Sequence, residues 1–219
     1  QDQALNIGSL FHSGMEAYLV SGCKDGADTG EYDLEAALAT LELAKPPKDE
    51  RQQVYFKESL LEVKSMLINY DRHAGPKGIN PAFPTLRVAC DPEGKPLVER
   101  AYWTPLGYRD YVFTCQVDAI VIELGVNLKV LEHKTSAPGM WVTRRLKTLG
   151  TDAQITGEIF TLANEFPQED TGWKYLDGVR MQVFTKGWKP GSRSSPAPFQ
   201  YSESRRTPKD LDSFRVRVV

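Results

Sequence analysis

The sequence predicts an α/β fold, an α+β sandwich in which a central mixed β-sheet is flanked by helices. Three observations predict it. Apolar residues recur at helical spacing through the first third of the chain, short β-branched runs replace them from about residue 85, and a helical stretch returns between two groups of strands. At 219 residues the chain can bury a substantial core, and 41% hydrophobic with 26% charged residues is ordinary for a globular protein. We expect a single domain over 1–219, with a helical insertion at about 31–72, a core at about 85–166, and C-terminal strands and a helix over 175–219.

The elements follow in order. From Ser9 to Val20, Phe11, Met15, Tyr18 and Leu19 recur at helical spacing and leave His12 and Glu16 on a neighbouring stripe. "GCKDGADTGE" (22–31) reads as a turn-rich loop. "YDLEAALATLELA" (32–44) reads as a second helix, stopped by Pro46 and Pro47. Asp49 to Tyr70 is a long amphipathic helix, with Val54, Leu60, Leu61, Met66, Leu67 and Ile68 assigned to the core face. "HAGPKGINPAFP" (73–84) is a Gly/Pro-rich connector. Strands come next: "TLRVAC" (85–90) and "PLVERAYW" (96–103) flank the turn Asp91–Gly94, and "YVFTCQVDAIVIE" (111–123) and "NLKVLEHKT" (127–135) follow. Arg144 to Phe166 returns to helix, and "GVRMQVFT" (178–185) and "FQYSES" (199–204) read as strands. "TPKDLDSF" (207–214) carries a helix start, with Thr207 as N-cap, Pro208 at the first position and Asp210 in the first turn. The loop "TKGWKPGSRSSPAP" (185–198) is expected to be the most mobile segment.

Composition excludes several classes. A net charge of −2 gives no global basic field, so an anionic partner needs a local patch. No apolar run approaches the roughly 18 residues of a membrane span, and the first residues lack the basic flank and long apolar core of a signal peptide. Cys23, Cys90 and Cys115 form no CxxC pair, which argues against a disulfide framework and against a zinc or iron–sulfur site. We expect a reduced, intracellular protein, cytoplasmic or in the host cytoplasm if the chain is viral.

"VDAIVIELGVNLKVLEHKTS" (117–136) carries Asp118, Glu132 and Lys134 in a run otherwise rich in Val, Ile and Leu. Such charges are costly to bury unless something pairs with them. A hairpin turn centred on Gly125 sets Asp118 opposite Glu132, with Cβ atoms about 4.5–5.5 Å apart. Lys134 shares the face of Glu132 because side chains alternate along a strand. Two readings stand on these residues alone: a structural ion pair, or two carboxylates that share a hard divalent cation beside a lysine suited to an anionic ligand such as phosphate. The chain holds a second Glu-x-Lys, Glu62-Val63-Lys64, but in a helix residues two apart point roughly 200° away from each other. That copy reads as a solvated face.

"VDAIVIELGVNLKVLEHKTS" resembles the core of the PD-(D/E)XK nuclease superfamily, in its RecB-like, phage-type exonuclease branch. Members show an Asp at a strand end and then an apolar strand closing in Asp/Glu-x-Lys. "GSLFHSGMEAYL" (8–19) resembles the branch's N-terminal helix, and "DAQITGEIF" (152–160) resembles the helix after the core. The order His12, Asp118, Glu132-x-Lys134, Gln154 covers about two thirds of the chain. The resemblance implies a restriction-endonuclease-like core with an N-terminal helical insertion. It implies Mg²⁺ or Mn²⁺ bound by His12, Asp118, Glu132 and the backbone carbonyl of His133, with Lys134 and Gln154 completing the catalytic set. It also implies a metal-dependent DNA nuclease, an exonuclease in recombination, repair or viral DNA processing, with a recombination or single-strand-binding protein as a further partner. The other readings are a structure-selective or nicking endonuclease and a non-cleaving DNA-binding module. Position 158, where the branch commonly has an aromatic, is Glu. The scattered cysteines predict no iron–sulfur cluster. Glu16 is the substitute for His12, and Glu99 is either a further acid at the site or a solvated strand residue. His133 is expected to turn its ring to the opposite face, and His73, in the Gly/Pro loop, to play no part.

A nuclease must also hold its polymer. "TRRLK" (143–147) supplies Arg144, Arg145 and Lys147 between Lys134 and Gln154. Lys186, Lys189, Arg193, Arg205 and Arg206, interleaved with Trp188 and Tyr201, are candidates for a second stripe that contacts phosphates and stacks bases.

Overall fold

The computed structural model describes residues 2–75, 78, 86–123, 127–137, 140–165, 175–189 and 197–218. They form helix α1 (Asp2–Ser21), short strands β1 (Cys23–Lys24) and β2 (Ala27–Asp28), and helices α2 (Leu34–Glu42) and α3 (Glu50–Ala74). Strands β3 (Leu86–Val88), β4 (Val98–Pro105), β5 (Val112–Glu123) and β6 (Asn127–Ser136) follow. Helix α4 (Met140–Thr148), a 3-10 turn (Leu149–Thr151), helix α5 (Ala153–Glu165), strands β7 (Tyr175–Thr185) and β8 (Phe199–Ser204) and helix α6 (Pro208–Val218) complete the order.

The fold is the expected mixed sheet flanked by helices. Six strands run in the order β3-β5-β6-β7-β8, and β4 shares with β3 the outer edge of β5. All neighbours are antiparallel except β6 and β7. A parallel pair needs a crossover rather than a tight turn, and α4 and α5 lie in that connection. One face of the sheet packs Leu131, Val121 and Phe184 against Phe11, Met15 and Leu19 of α1 and Val63, Leu67 and Tyr70 of α3. The other face packs Val130, Met181 and Val183 against Ile155, Ile159 and Leu162 of α5.

Several sequence expectations change. The buried stripe of α3 is Phe56, Ser59, Val63, Met66, Leu67, Tyr70 and Ala74, whereas Val54, Leu61 and Ile68 are exposed. Asp49 caps this helix by accepting from the Arg51 and Gln52 amides, and the helix runs on to Ala74, so His73 lies in its last turn. The 22–31 loop contains a two-residue hairpin, because Asp25 (φ 53°) and Gly26 (φ 80°) supply the two left-handed residues of a type I′ turn. It packs on the Asp91–Gly94 turn and puts the thiols of Cys23 and Cys90 side by side. The helix expected over Arg144–Phe166 is two helices. The chain breaks at Thr148–Asp152, where Asp152 caps α5 by accepting from the amides of Gln154 at 2.9 Å and Ile155 at 3.3 Å. Thr207 caps α6 as expected, and Asp210 answers by accepting from the Thr207 amide.

Candidate metal centre

The turn centred on Gly125 lies outside the described residues, but the strands on either side keep the expected register, from Glu123 opposite Asn127 to Ala119 opposite Leu131. The ladder then ends one step short of Asp118 and Glu132. From there β5 continues with β4 and β6 continues with β7, so the two acids stand at a fork in the sheet. The fork has a local cause. Cys115 and Val117 face α5, yet Ala119 and Val121 face α1 and α3, so the odd-numbered side chains of β5 change sides at Asp118. β4 does the same between Tyr102 and Val98. Glu99, between Val98 and Arg100, which pair with Ala119 and Val117, takes a left-handed backbone at φ 49°. That conformation costs a non-glycine residue about 1–3 kcal/mol, and such strain concentrates at functional sites.

His12 closes the fork from the α1 side. Its neighbour Phe11 is buried against Phe184, with ring centroids 4.4 Å apart, and against the His133 ring at 6.3 Å. Gly14 lets α1 approach α3, since a Cβ there would meet Leu67 Cδ1 at 2.6 Å; nothing lies within 4 Å of the corresponding position at Gly8. With the helix held this way, His12 Nδ1 lies 3.0 Å from Glu99 Oε1 and 3.1 Å from Asp118 Oδ1. One ligand atom from each of His12, Glu99 and Asp118 lies within 4.8 Å of the others. Asp118 Oδ2 accepts from the His133 amide at 2.5 Å, and the His133 ring is buried on the α1 side of the sheet, away from Glu132 and Lys134 but with Nδ1 3.7 Å from Asp118 Oδ2 rather than turned from the site.

Glu132 and Lys134 point to the other side, toward α5. The Lys134 ammonium is ion-paired with Glu132 Oε1. Gln154 Nε2 donates to Glu132 Oε1 at 3.3 Å and to Glu158 Oε1 at 2.8 Å. Gln154 therefore lies against Glu132, while position 158 holds a buried acid one helical turn further on. The second carboxylate oxygens of Glu132 and Glu158 are buried and meet no donor among the described residues. An unsatisfied buried acceptor costs about 1–3 kcal/mol, more when charged.

The electrostatics follow from this crowding. Burial, then the charge of Asp118, pushes the Glu132 carboxyl well above the usual carboxylate range. Burial, then the charge of Glu132, does the same to Glu158. Burial also opposes ionisation of Asp118, but the hydrogen bond from His12 and the nearby His133 and His12 outweigh it and hold that carboxyl low. Hydrogen bonds to Asp118 and Glu99 push the His12 imidazole up to about 10. Burial lowers the His133 ring to about 4. Four carboxylates (Glu99, Asp118, Glu132, Glu158) thus crowd two cationic groups, His12 and Lys134. A divalent cation removes such an imbalance, and imidazole and carboxylate oxygens are suitable ligands for it.

The cluster differs in membership from the sequence reading. Glu99 stands where Glu132 was expected beside His12 and Asp118, and Glu132 belongs to the adjoining Lys134–Gln154–Glu158 group. Glu158 was visible in the sequence only as a departure from the aromatic common at that position, since an acid one turn from Gln154 is ordinary on a helix. Glu99 was legible only as a strand acid, either a further acid at the site or a solvated residue. Glu16, the substitute for His12, is exposed. The basic candidates differ in placement. Arg144, Arg145 and Lys147 are exposed on α4. Lys186 is half-buried beside the end of β6, its amide donating to Ser136 O. Arg193 lies outside the described residues. Arg206 is not a free surface cation, because its guanidinium donates to Thr156 Oγ1 at 2.9 Å, Leu149 O at 2.8 Å and Ser204 Oγ at 2.7 Å, tying β8 to the start of α5. Lys64 of the second Glu-x-Lys pairs with Glu42 at 2.9 Å, and Glu62 accepts from the Gly187 amide.

No protein-family model matches the chain, and no curated protein matches it. No helix among the described residues is long and apolar enough to cross a membrane.

Proposed function

We propose that this chain is a divalent-cation-dependent nuclease of the PD-(D/E)XK type that hydrolyses DNA phosphodiester bonds as an exonuclease, in recombination, repair or viral DNA processing. One observation carries the reading: His12, Glu99 and Asp118 converge at a strand fork whose second strand closes in Glu132-x-Lys134, with Glu132 buried and Lys134 half-buried. Mg²⁺ or Mn²⁺ fits this donor set, and Glu132 of the adjoining group keeps a carboxylate oxygen that meets no donor among the described residues. His12, Glu99 and Asp118 would hold the ion. Once bound, the ion supplies Lewis acidity toward a phosphate oxygen and lowers the pKa of a water.

The chain's own residues do the rest. The His133 amide and the His12 ring fix both oxygens of Asp118. Glu132 holds the Lys134 ammonium beside the fork, where it offsets the charge of a scissile phosphate and orients the attacking water. Gln154 anchors Glu132 from α5. The test is incubation with end-labelled linear and closed circular DNA, in Mg²⁺ or in EDTA. Mg²⁺-dependent loss of linear DNA alone supports an exonuclease, cleavage of circles indicates an endonuclease, and binding without cleavage refutes the nuclease reading.

A further inference from the structure

Beyond Asp118, β5 has left β6, so Val98–Pro105 and Val112–Val117 form a two-stranded ribbon that reaches past the sheet. Its inner face is covered, with Phe113 and Leu106 packed on Phe160 and Phe214 of α5 and α6. Its outer face carries Ala101, Trp103, Pro105, Val112, Thr114 and Gln116, all exposed. Trp103 is 63% exposed, and at the tip Tyr108 and Tyr111 are 43% and 55% exposed. The two tyrosine rings lie within 14° of parallel with centroids 6.1 Å apart, and the Arg109 guanidinium sits 5.2 Å from the Tyr108 ring centroid.

The geometry points to this outer face as a binding track for single-stranded nucleic acid, which hands an unpaired strand to the metal centre. The inference rests on the nuclease reading for its destination and extends it to a substrate class. Three features favour this occupant over a second copy of the chain. The face is continuous with the site, since Gln116 Nε2 donates to Glu99 Oε2 at 2.8 Å and Glu99 holds His12. Trp103 stands four residues from Glu99, roughly 13 Å at about 3.3 Å per residue, so a strand with its phosphate at the cluster can lay following bases on the indole. The row carries no carboxylate between Gln116 and the tip, where Arg109 supplies a cation and Asp110 is the one acid. Flat aromatic faces with a guanidinium and no repelling charge suit bases joined by phosphates, and such stacking tolerates any sequence.

The test measures binding of a fluorescent oligothymidylate and of a duplex of equal length in EDTA, where no cleavage occurs. Trp103→Ala is expected to weaken single-strand binding by about tenfold or more, with Trp103→Phe restoring most of it and duplex affinity changing less. The Tyr108→Ala/Tyr111→Ala double variant is expected to weaken it similarly. All these side chains are exposed, so the fold should survive, and circular dichroism checks that. Cleavage of the p-nitrophenyl ester of thymidine monophosphate, too short to reach Trp103, should be unaffected. Unchanged oligothymidylate affinity in Trp103→Ala overturns the track, and so does an equal loss for single strand and duplex. A changed sedimentation coefficient with unchanged oligonucleotide affinity overturns it in favour of a second copy. A wild-type protein that binds single strands through Trp103 but cuts no phosphodiester refutes the nuclease reading and leaves the track standing.

Discussion

Replacing Asp118 by Asn is the most informative single change at the cluster. The amide keeps an oxygen for the His133 N–H but removes the charge that a hard cation needs. In the wild-type protein, a ligand that binds only the folded state at about 100 times its Kd adds about 2.7 kcal/mol of stability. For a chain of this size each kcal/mol moves the melting temperature by about 2–4 °C, so saturating Mg²⁺ or Mn²⁺ is expected to raise Tm by roughly 5–11 °C. Asp118→Asn and Glu99→Gln should each lose most of that shift. Glu203→Gln is the control, because Glu203 pairs with Lys129 and Arg180 away from the fork; it should lower Tm while keeping the cation-induced rise. The assay is a thermal melt of each variant in EDTA and in a titration of cation. A wild-type shift retained in Asp118→Asn refutes the cluster as a metal centre, as does the absence of any shift in the wild type at saturating cation.

Other predictions follow from the same geometry. Lys134→Ala should abolish cleavage, whereas Lys64→Ala, which breaks only an exposed pair with Glu42, should cleave like wild type; equal effects would show the strand tripeptide to be structural. Lys134→Ala should still fold, because the Glu132 carboxyl is already pushed toward its neutral form and can take up a proton. If α4 contacts phosphates, replacing Arg144, Arg145 and Lys147 by Ala should lower the log–log salt slope of DNA binding by roughly 2–3, and an unchanged slope would mean that the path of DNA avoids this helix. Gly157→Ala should destabilise the chain by about 1–3 kcal/mol through overpacking, because the new methyl would meet Phe113 Cζ at 2.4 Å and Phe214 Cζ at 3.0 Å. An unchanged melting temperature in that variant would contradict the packing of the β4–β5 ribbon on α5 and α6.

Much of the site was legible because strand periodicity is simple. The run of Val, Ile and Leu on either side of Gly125 set the β5–β6 register correctly, and alternation put Glu132 and Lys134 on one face. The end of that ladder at Ala119 and Leu131 was not legible. It depends on a change of faces opposite Glu99, whose left-handed backbone no Gly or Asn announces. That is why Glu99, rather than Glu132, completes the triad with His12 and Asp118. The α3 face was partly misassigned for a different reason: Leu60-Leu61 and Met66-Leu67-Ile68 offer two adjacent stripes, and two of the residues that decide between them, Ser59 and Tyr70, carry hydroxyls. The break before α5 was written in Leu149-Gly150-Thr151-Asp152, a breaker followed by an N-cap, but the apolar periodicity on either side masked it.

The nuclease reading requires that the forked cluster hydrolyse phosphodiester bonds. Its most direct test is the mass spectrum of DNA products formed with Mg²⁺ in heavy-oxygen water, for the wild type, for Lys134→Ala and for the wild type in EDTA. One heavy oxygen is expected in the phosphate at each cut made by the wild type, with no cuts in the other two. Intact DNA with the folded, cation-loaded wild-type protein, or equal cutting by Lys134→Ala, would contradict it.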